Sequence, residues 1–307
     1  MSSTRAVQAH VLGKVYGDTV AVDDLCLQVD QGEVFGFLGP NGAGKTTSVK
    51  MLLGLVHPTS GEARLLGIPC SDPASRRQVG FLPEHFRFQE WMRATEFLEA
   101  HGRLCGMARS DCQSRGRELL DLVGLGYAAQ RRLAAFSKGM LQRIGLAQAL
   151  MHRPRLVFLD EPTSGLDPLG RLMVRDVISE LAAEGVTVFL NSHLLGEVEA
   201  TCTRVAFIKS GRVVATESLT EISQTCSRVT VEVGTLSPGL EAELRALRPE
   251  AVCDPEGRLH VRVADKREIG ELVDWLVNRR VPVFAVLPQG PTLEDLFVEV
   301  MSKGDAE

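Results

Sequence analysis

A nearly continuous apolar run, Val34-Phe35-Gly36-Phe37-Leu38, passes directly into Gly39-Pro40-Asn41-Gly42-Ala43-Gly44-Lys45-Thr46. A helical pattern then runs from Thr46 to about residue 56, ahead of His57-Pro58. The run predicts a strand buried on both faces, and the proline cannot continue a helix. The loop fits G-x-x-x-x-G-K-[ST] and has the strand before it and the helix after it that this motif needs. Glycines let successive backbone N–H groups turn inward toward phosphate oxygens. The helix N-terminus adds partial positive charge at the same place. Lys45 is expected to neutralise the β and γ phosphates, and the Thr46 hydroxyl to coordinate Mg²⁺.

A phosphate loop needs carboxylates for the metal. Leu156-Val157-Phe158-Leu159 supplies a second buried strand that ends on Asp160-Glu161. Two adjacent carboxylates are poor core residues, because burying them unpaired costs several kcal/mol. A metal beside them removes that objection. Asp160 is expected in the metal shell, and Glu161 is placed to orient or deprotonate an attacking water.

The rest of the chain extends this pattern. Residues 5–30 alternate in short stretches and predict an antiparallel edge layer. Residues 88–135 lack clear strands and carry helical stretches, and another helix is expected over about 140–151. A helix over about 168–183 and strands at 186–190 and 205–208 complete an alternating core with a largely parallel sheet. Past about residue 219 the pattern restarts on a smaller scale: strands near 229–233, 259–263 and 281–287, and helices near 241–247, 266–278 and from 292. That segment has no glycine-rich loop and no clustered polar residues, so regulation or assembly is its expected job. The fold class is therefore α/β: a P-loop NTPase-type core sheet with an antiparallel N-terminal layer and a helical insert of about 88–150, plus a small α+β C-terminal domain. The boundaries fall at 1–218 and 219–307.

Bulk properties exclude other classes. With 34 basic and 39 acidic side chains the formal net charge is -5, and aromatic residues make up 5% of the chain, so no nucleic-acid partner is expected. The seven cysteines, at 26, 70, 105, 112, 202, 226 and 253, form no zinc spacing and read as free thiols in a reducing compartment. The residues before the first strand contain no apolar stretch that could serve as a signal peptide, and no apolar run approaches the ~20 residues that cross a bilayer. The expected location is cytoplasmic.

Three further segments carry a family resemblance. Phe136-Ser137-Lys138-Gly139-Met140-Leu141-Gln142-Arg143 resembles the signature of the ATP-binding cassette (ABC) family of transporter ATPases. Pro162-Thr163-Ser164-Gly165-Leu166-Asp167 resembles its D-loop and Ser192-His193 its switch histidine. Tyr16 sits where that family places the aromatic that stacks on adenine. Read without the family, Ser137 is equally a helix cap or an anion donor at a helix start. His193 and Tyr16 alone read more readily as ordinary surface or core residues.

The resemblance covers about residues 5–218. It implies a head-to-tail dimer, either a homodimer or a pair with a related ABC ATPase subunit. ATP would lie between the phosphate loop of one subunit and the signature of the other. Gly39, Pro40, Asn41, Gly42, Ala43, Gly44, Lys45, Thr46 and Thr47 would hold the nucleotide in cis, with Asp160, Glu161 and His193 at its γ phosphate. Ser137 and Gly139 would reach that phosphate in trans, and Asp167 would join the two sites.

Two departures stand out. Ser137-Lys138-Gly139-Met140 replaces the common Ser-Gly-Gly-Gln, and Glu84 in Phe81-Leu82-Pro83-Glu84 replaces a glutamine that links metal and permease. A carboxylate binds metal more strongly but cannot donate an amide hydrogen bond. Both variants resemble an exporter branch, as does Thr292-Leu293-Glu294-Asp295-Leu296-Phe297, which is similar to the close of an accessory domain on drug, antibiotic and lipid exporter ATPases. The implied function is a Mg-dependent ATPase subunit, peripheral on the cytoplasmic face of the membrane, that drives export through a separate polytopic permease. The alternatives are a soluble ABC-type ATPase acting on ribosome or nucleic-acid complexes, and a binding module that uses ATP only as a structural ligand.

Overall fold

The computed structural model describes residues 5–85, 87–220, 228–254, 257–264, 266–290 and 292–303. The chain divides into two compact units, Met1–Glu217 with Val300–Glu307, and Ser218–Glu299.

In the first unit, β1 (Arg5–Tyr16) and β2 (Thr19–Asp30) pair antiparallel, and β1 pairs on its other side with β4 (Ser60–Leu65). With β5 (Ile68–Pro69) they form a four-stranded sheet ordered β2-β1-β4-β5. A second sheet is built from β3 (Val34–Leu38), β6 (Val79–Leu82), β7 (Leu156–Asp160), β8 (Thr187–Asn191), β9 (Arg204–Lys209) and β10 (Arg212–Ser218), ordered β10-β9-β3-β8-β7-β6. From β9 through β6 the strands pair parallel.

Strands β3, β7 and β8 are buried along their whole length, which explains apolar runs without alternation. Phe35, Phe37 and Phe158 surround Phe189 with ring centroids at 5.7, 5.4 and 4.9 Å, so one aromatic cluster spans these three central strands.

Helix α1 (Lys45–Leu52) follows β3 and stops short of the expected residue 56. Gly54 adopts φ +64, its N–H bonds Met51 O at 2.9 Å, and Leu55 N–H bonds Lys50 O at 2.8 Å. This Schellman stop ends the helix before Pro58 can. Helices α2 (Ala94–Leu104), α3 (Arg109–Leu122) and α4 (Lys138–Ala149) occupy the segment expected to be helical. Helix α5 (Pro168–Ala183) follows β7, and α6 (Leu195–Thr201) follows β8.

The second unit contains β11 (Arg228–Val233), α7 (Pro238–Leu247), β12 (Val252–Cys253), β13 (Arg258–Arg262), α8 (Lys266–Asn278) and β14 (Val283–Gln289). Its antiparallel sheet is ordered β12-β13-β11-β14. Val229, Val231, Leu259 and Val261 alternate inward to meet Leu244 of α7 and Leu272 and Leu276 of α8. Helix α9 (Leu293–Lys303) follows β14. The short strand β12 escaped the sequence reading because two residues carry no period. Among the described residues, no helix is long and apolar enough to cross a membrane. Six of the cysteines are free there, and Cys226 lies outside them.

Candidate active site

The parallel sheet decides which residues meet. In register, Asp160 on β7 stands beside Asn191 on β8, and Asn191 also pairs with Phe37 on β3. The phosphate loop leaves the carboxyl end of β3, Glu161 follows β7, His193 follows β8 and Glu84 follows β6. Four adjacent strands thus deliver their C-terminal extensions to one edge, which is where open parallel sheets bind ligands.

That edge holds a cavity of about 520 Å³, walled by Thr19, Val20, Ala21, Asn41, Gly42, Gly44, Lys45, Thr46, Thr47, Glu84, Glu161, Asn191 and His193. Ser137, Gly139 and Asp167 are not in its walls. Tyr16 is also outside them, half-exposed at the end of β1 with the Lys14 ammonium 5.0 Å from its ring centre.

The loop curls because Gly42 and Gly44 take φ +80 and +99. Gly44 is the N-cap of α1 and has no side-chain cap, so no cap side chain takes up the first amides of that helix. Ala43 N–H donates to Pro40 O at 3.2 Å, and Ala43 O accepts from Gly211 N–H at 2.9 Å. Lys45 Nζ donates to Gly39 O at 2.7 Å and Pro40 O at 3.0 Å. Burial holds the Lys45 ammonium below its ordinary value, while the charges of Glu161, Asp160 and Glu84 push it up.

Opposite the loop, burial pushes the Asp160 carboxyl up from its ordinary value, and the amide of Asn191, donating from Nδ2 to Oδ1, pulls it down. Glu84 and Glu161 add to the rise and Lys45 opposes it. Such a carboxylate gains most from a nearby cation. Thr46 and Glu84 line the cavity and Asp160 does not, though the Glu84 charge reaches it; a hydroxyl and two carboxylates are the hard oxygen donors that Mg²⁺ takes. No group of three or more His, Cys, Asp or Glu with metal spacing occurs among the described residues, so protein donors alone do not complete a shell. Waters and phosphate oxygens ordinarily fill the rest of a Mg²⁺ shell.

Glu161 is 7% exposed and adopts φ +53, and its N–H donates to Asn191 O at 2.8 Å. Its Oε2 lies 2.7 Å from His193 Nδ1, yet the pair lacks the alignment of a hydrogen bond, and Oε2 has no hydrogen-bond partner. Asn191 Oδ1 is likewise buried without one. Buried acceptors of this kind are costly unless a ligand or water completes them. The His193 side chain is 60% exposed and can reach into the cavity.

Ser137 caps α4 by accepting from Met140 N–H at 3.3 Å, and Asp167 caps α5 by accepting from Gly170 N–H at 2.8 Å. The capping role read from sequence is present at Ser137.

Asn191 and the Thr19–Ala21 segment escaped the sequence reading. For Asn191 a signal existed: a polar residue at the carboxyl end of an apolar parallel strand.

Fold and site together define a phosphate-loop nucleotide-binding protein with acidic residues facing the loop. Comparison with known proteins narrows that class. The family described as ABC transporter matches residues 22–164. An ABC transporter ATP-binding protein of Synechocystis sp. is 39% identical over 285 residues, which cover 89% of this chain and 76% of that protein. The linearmycin resistance ATP-binding protein LnrL of Bacillus subtilis is 32% identical over 97% of this chain and 98% of that one. Among solved structures, the dimeric ATP-binding cassette MJ0796 in a post-hydrolysis state with ADP and Pi aligns with a TM-score of 0.65 and 26% identity, over 69% of this chain and 98% of that one. The chain belongs to the family of ABC transporter ATP-binding proteins. It is the ATP-binding subunit of a transporter.

Proposed function

We propose that this subunit hydrolyses ATP with Mg²⁺ as half of a head-to-tail dimer and drives export through a separate membrane permease. The observation that carries the catalytic part is the single cavity in which Lys45, Thr46, Glu84, Glu161 and His193 face one another. Lys45 and the loop amides would hold the β and γ phosphates. Asp160, Thr46 and Glu84 would hold Mg²⁺, which supplies charge neutralisation at the phosphates when bound. Glu161, next to His193 and with a buried oxygen lacking a hydrogen-bond partner, would orient or deprotonate the attacking water.

Ser137, Gly139 and Asp167 lie outside this cavity, which suits residues that serve a partner's site. The dimeric solved cassette supports a dimer. Tyr16 would serve the adenine from the rim. Export is favoured by the linearmycin resistance relative, whose likeness runs through the C-terminal unit as well.

The test is the ATPase rate against protein concentration for wild type and Glu161→Gln, side by side. A rate that rises faster than linearly at low concentration and falls by ~10²–10⁴ in the variant, with nucleotide binding kept, is the expected result. Activity that survives in the variant would overturn the role of Glu161. Extraction from membranes in mild detergent should bring down a polytopic partner, and recovery without one would count against a separate permease.

A further inference from the structure

Gln142 lies on α4, the helix capped by Ser137, and is 5% exposed. Its Nε2 donates to the main-chain oxygen of Glu161 at 3.0 Å and to that of Pro162 at 3.1 Å. The turn it grips is unusual. Glu161 sits at φ +53, a left-handed conformation that strains a non-glycine residue and persists only where its surroundings over-determine it.

Three contacts hold Glu161 there. Asn191 O accepts its N–H at 2.8 Å, Ser164 N–H donates to its O at 3.1 Å, and Gln142 donates to the same oxygen. The first two are main chain to main chain and come from the neighbouring strand and from the turn itself, whereas Gln142 supplies a side-chain donor from α4. The start of α4 is packed on the same segment: a Cβ on Gly139 would sit 3.3 Å from Leu166 Cδ2, and one on Gly165 would sit 2.7 Å from Lys138 Cε.

We propose that Gln142 is a positioning residue for Glu161: it fixes the turn at residues 161 and 162, so that the carboxylate faces the cavity, and ties that turn to the helix bearing Ser137 and Gly139. This rests on the reading of Glu161 as the group that orients or deprotonates water. A buried amide that merely satisfied two carbonyls would affect stability alone. An amide that aims Glu161 affects turnover, because a shift of the base by about 1 Å costs ~10²-fold in rate.

Gln142→Met keeps the unbranched length and removes both donors. ATP affinity, KM and kcat are to be measured for this variant in the wild-type and Glu161→Gln backgrounds. The expected result is a kcat lowered ~10–100-fold with affinity unchanged within about twofold, and no further loss of residual hydrolysis when Glu161→Gln is already present. An unchanged kcat, an affinity that falls with kcat, or an equal loss in both backgrounds would overturn the proposal. Wild-type turnover in Glu161→Gln alone would refute the role of Glu161, and this role of Gln142 with it. If Gln142→Met does not fold, Gln142→Glu keeps the shape, replaces the donors by acceptors and carries the same test.

Discussion

Two glycines of the phosphate loop share a backbone conformation and differ in what surrounds them, which allows strain to be separated from collision. Gly42 has φ +80 with nothing within 4 Å of where a Cβ would stand. Gly44 has φ +99, and its Cβ would lie 2.4 Å from Ala21 O, with Gly211 Cα at 3.4 Å. Those atoms are main chain, held by Asp23 N–H to Gly211 O at 3.0 Å and Gly211 N–H to Ala43 O at 2.9 Å, so no rotamer change relieves the contact. Gly42→Ala should therefore cost only left-handed strain, ~1–2 kcal/mol. Gly44→Ala should cost that plus ~1–3 kcal/mol of overpacking, about 2–5 kcal/mol in all. Urea unfolding of the nucleotide-free variants, followed by circular dichroism, reads the difference as a midpoint shift at constant slope. Equal losses within about 0.5 kcal/mol would refute the argument, because they would show that β2 and the turn at Ser210 and Gly211 yield without cost.

Phe189→Ala removes the ring shared by Phe35, Phe37 and Phe158 and should cost ~3–5 kcal/mol of stability, and a loss below about 1 kcal/mol would show that the three strands collapse around the gap. Burial holds the His152 imidazole below its ordinary value of 6.5, against a hydrogen bond with the Val79 main chain that raises it. The folded state then binds the proton less readily than the unfolded chain, so the His152 contribution is complete above pH 6.5 and is lost as pH falls through the depressed folded value. His152→Gln should flatten the fall in stability between about pH 7 and 5, and an unchanged slope would refute it.

Local chemistry made much of this protein legible in the sequence. The strand, loop and helix around Lys45 had to occur together, because the glycines, the apolar run and the helical period all act within residues 34–52. Strands β3, β7 and β8 announced themselves as largely apolar runs without alternation because both of their faces are buried. The alternating strands of the second unit showed the opposite pattern for the opposite reason, with one face on the core.

Tertiary structure decided what short-range pattern cannot carry. The order β10-β9-β3-β8-β7-β6 places Asn191 between the phosphate loop and Asp160, although β8 comes after β7 in the chain. Gln142 reads in sequence as one polar residue on a helix, and only the docking of α4 on the turn after β7 brings its amide to Glu161 and Pro162. Propensity and periodicity act between near neighbours, whereas a hydrogen bond across 19 residues or a carboxylate beside the next strand's amide exists only once the sheet order is set.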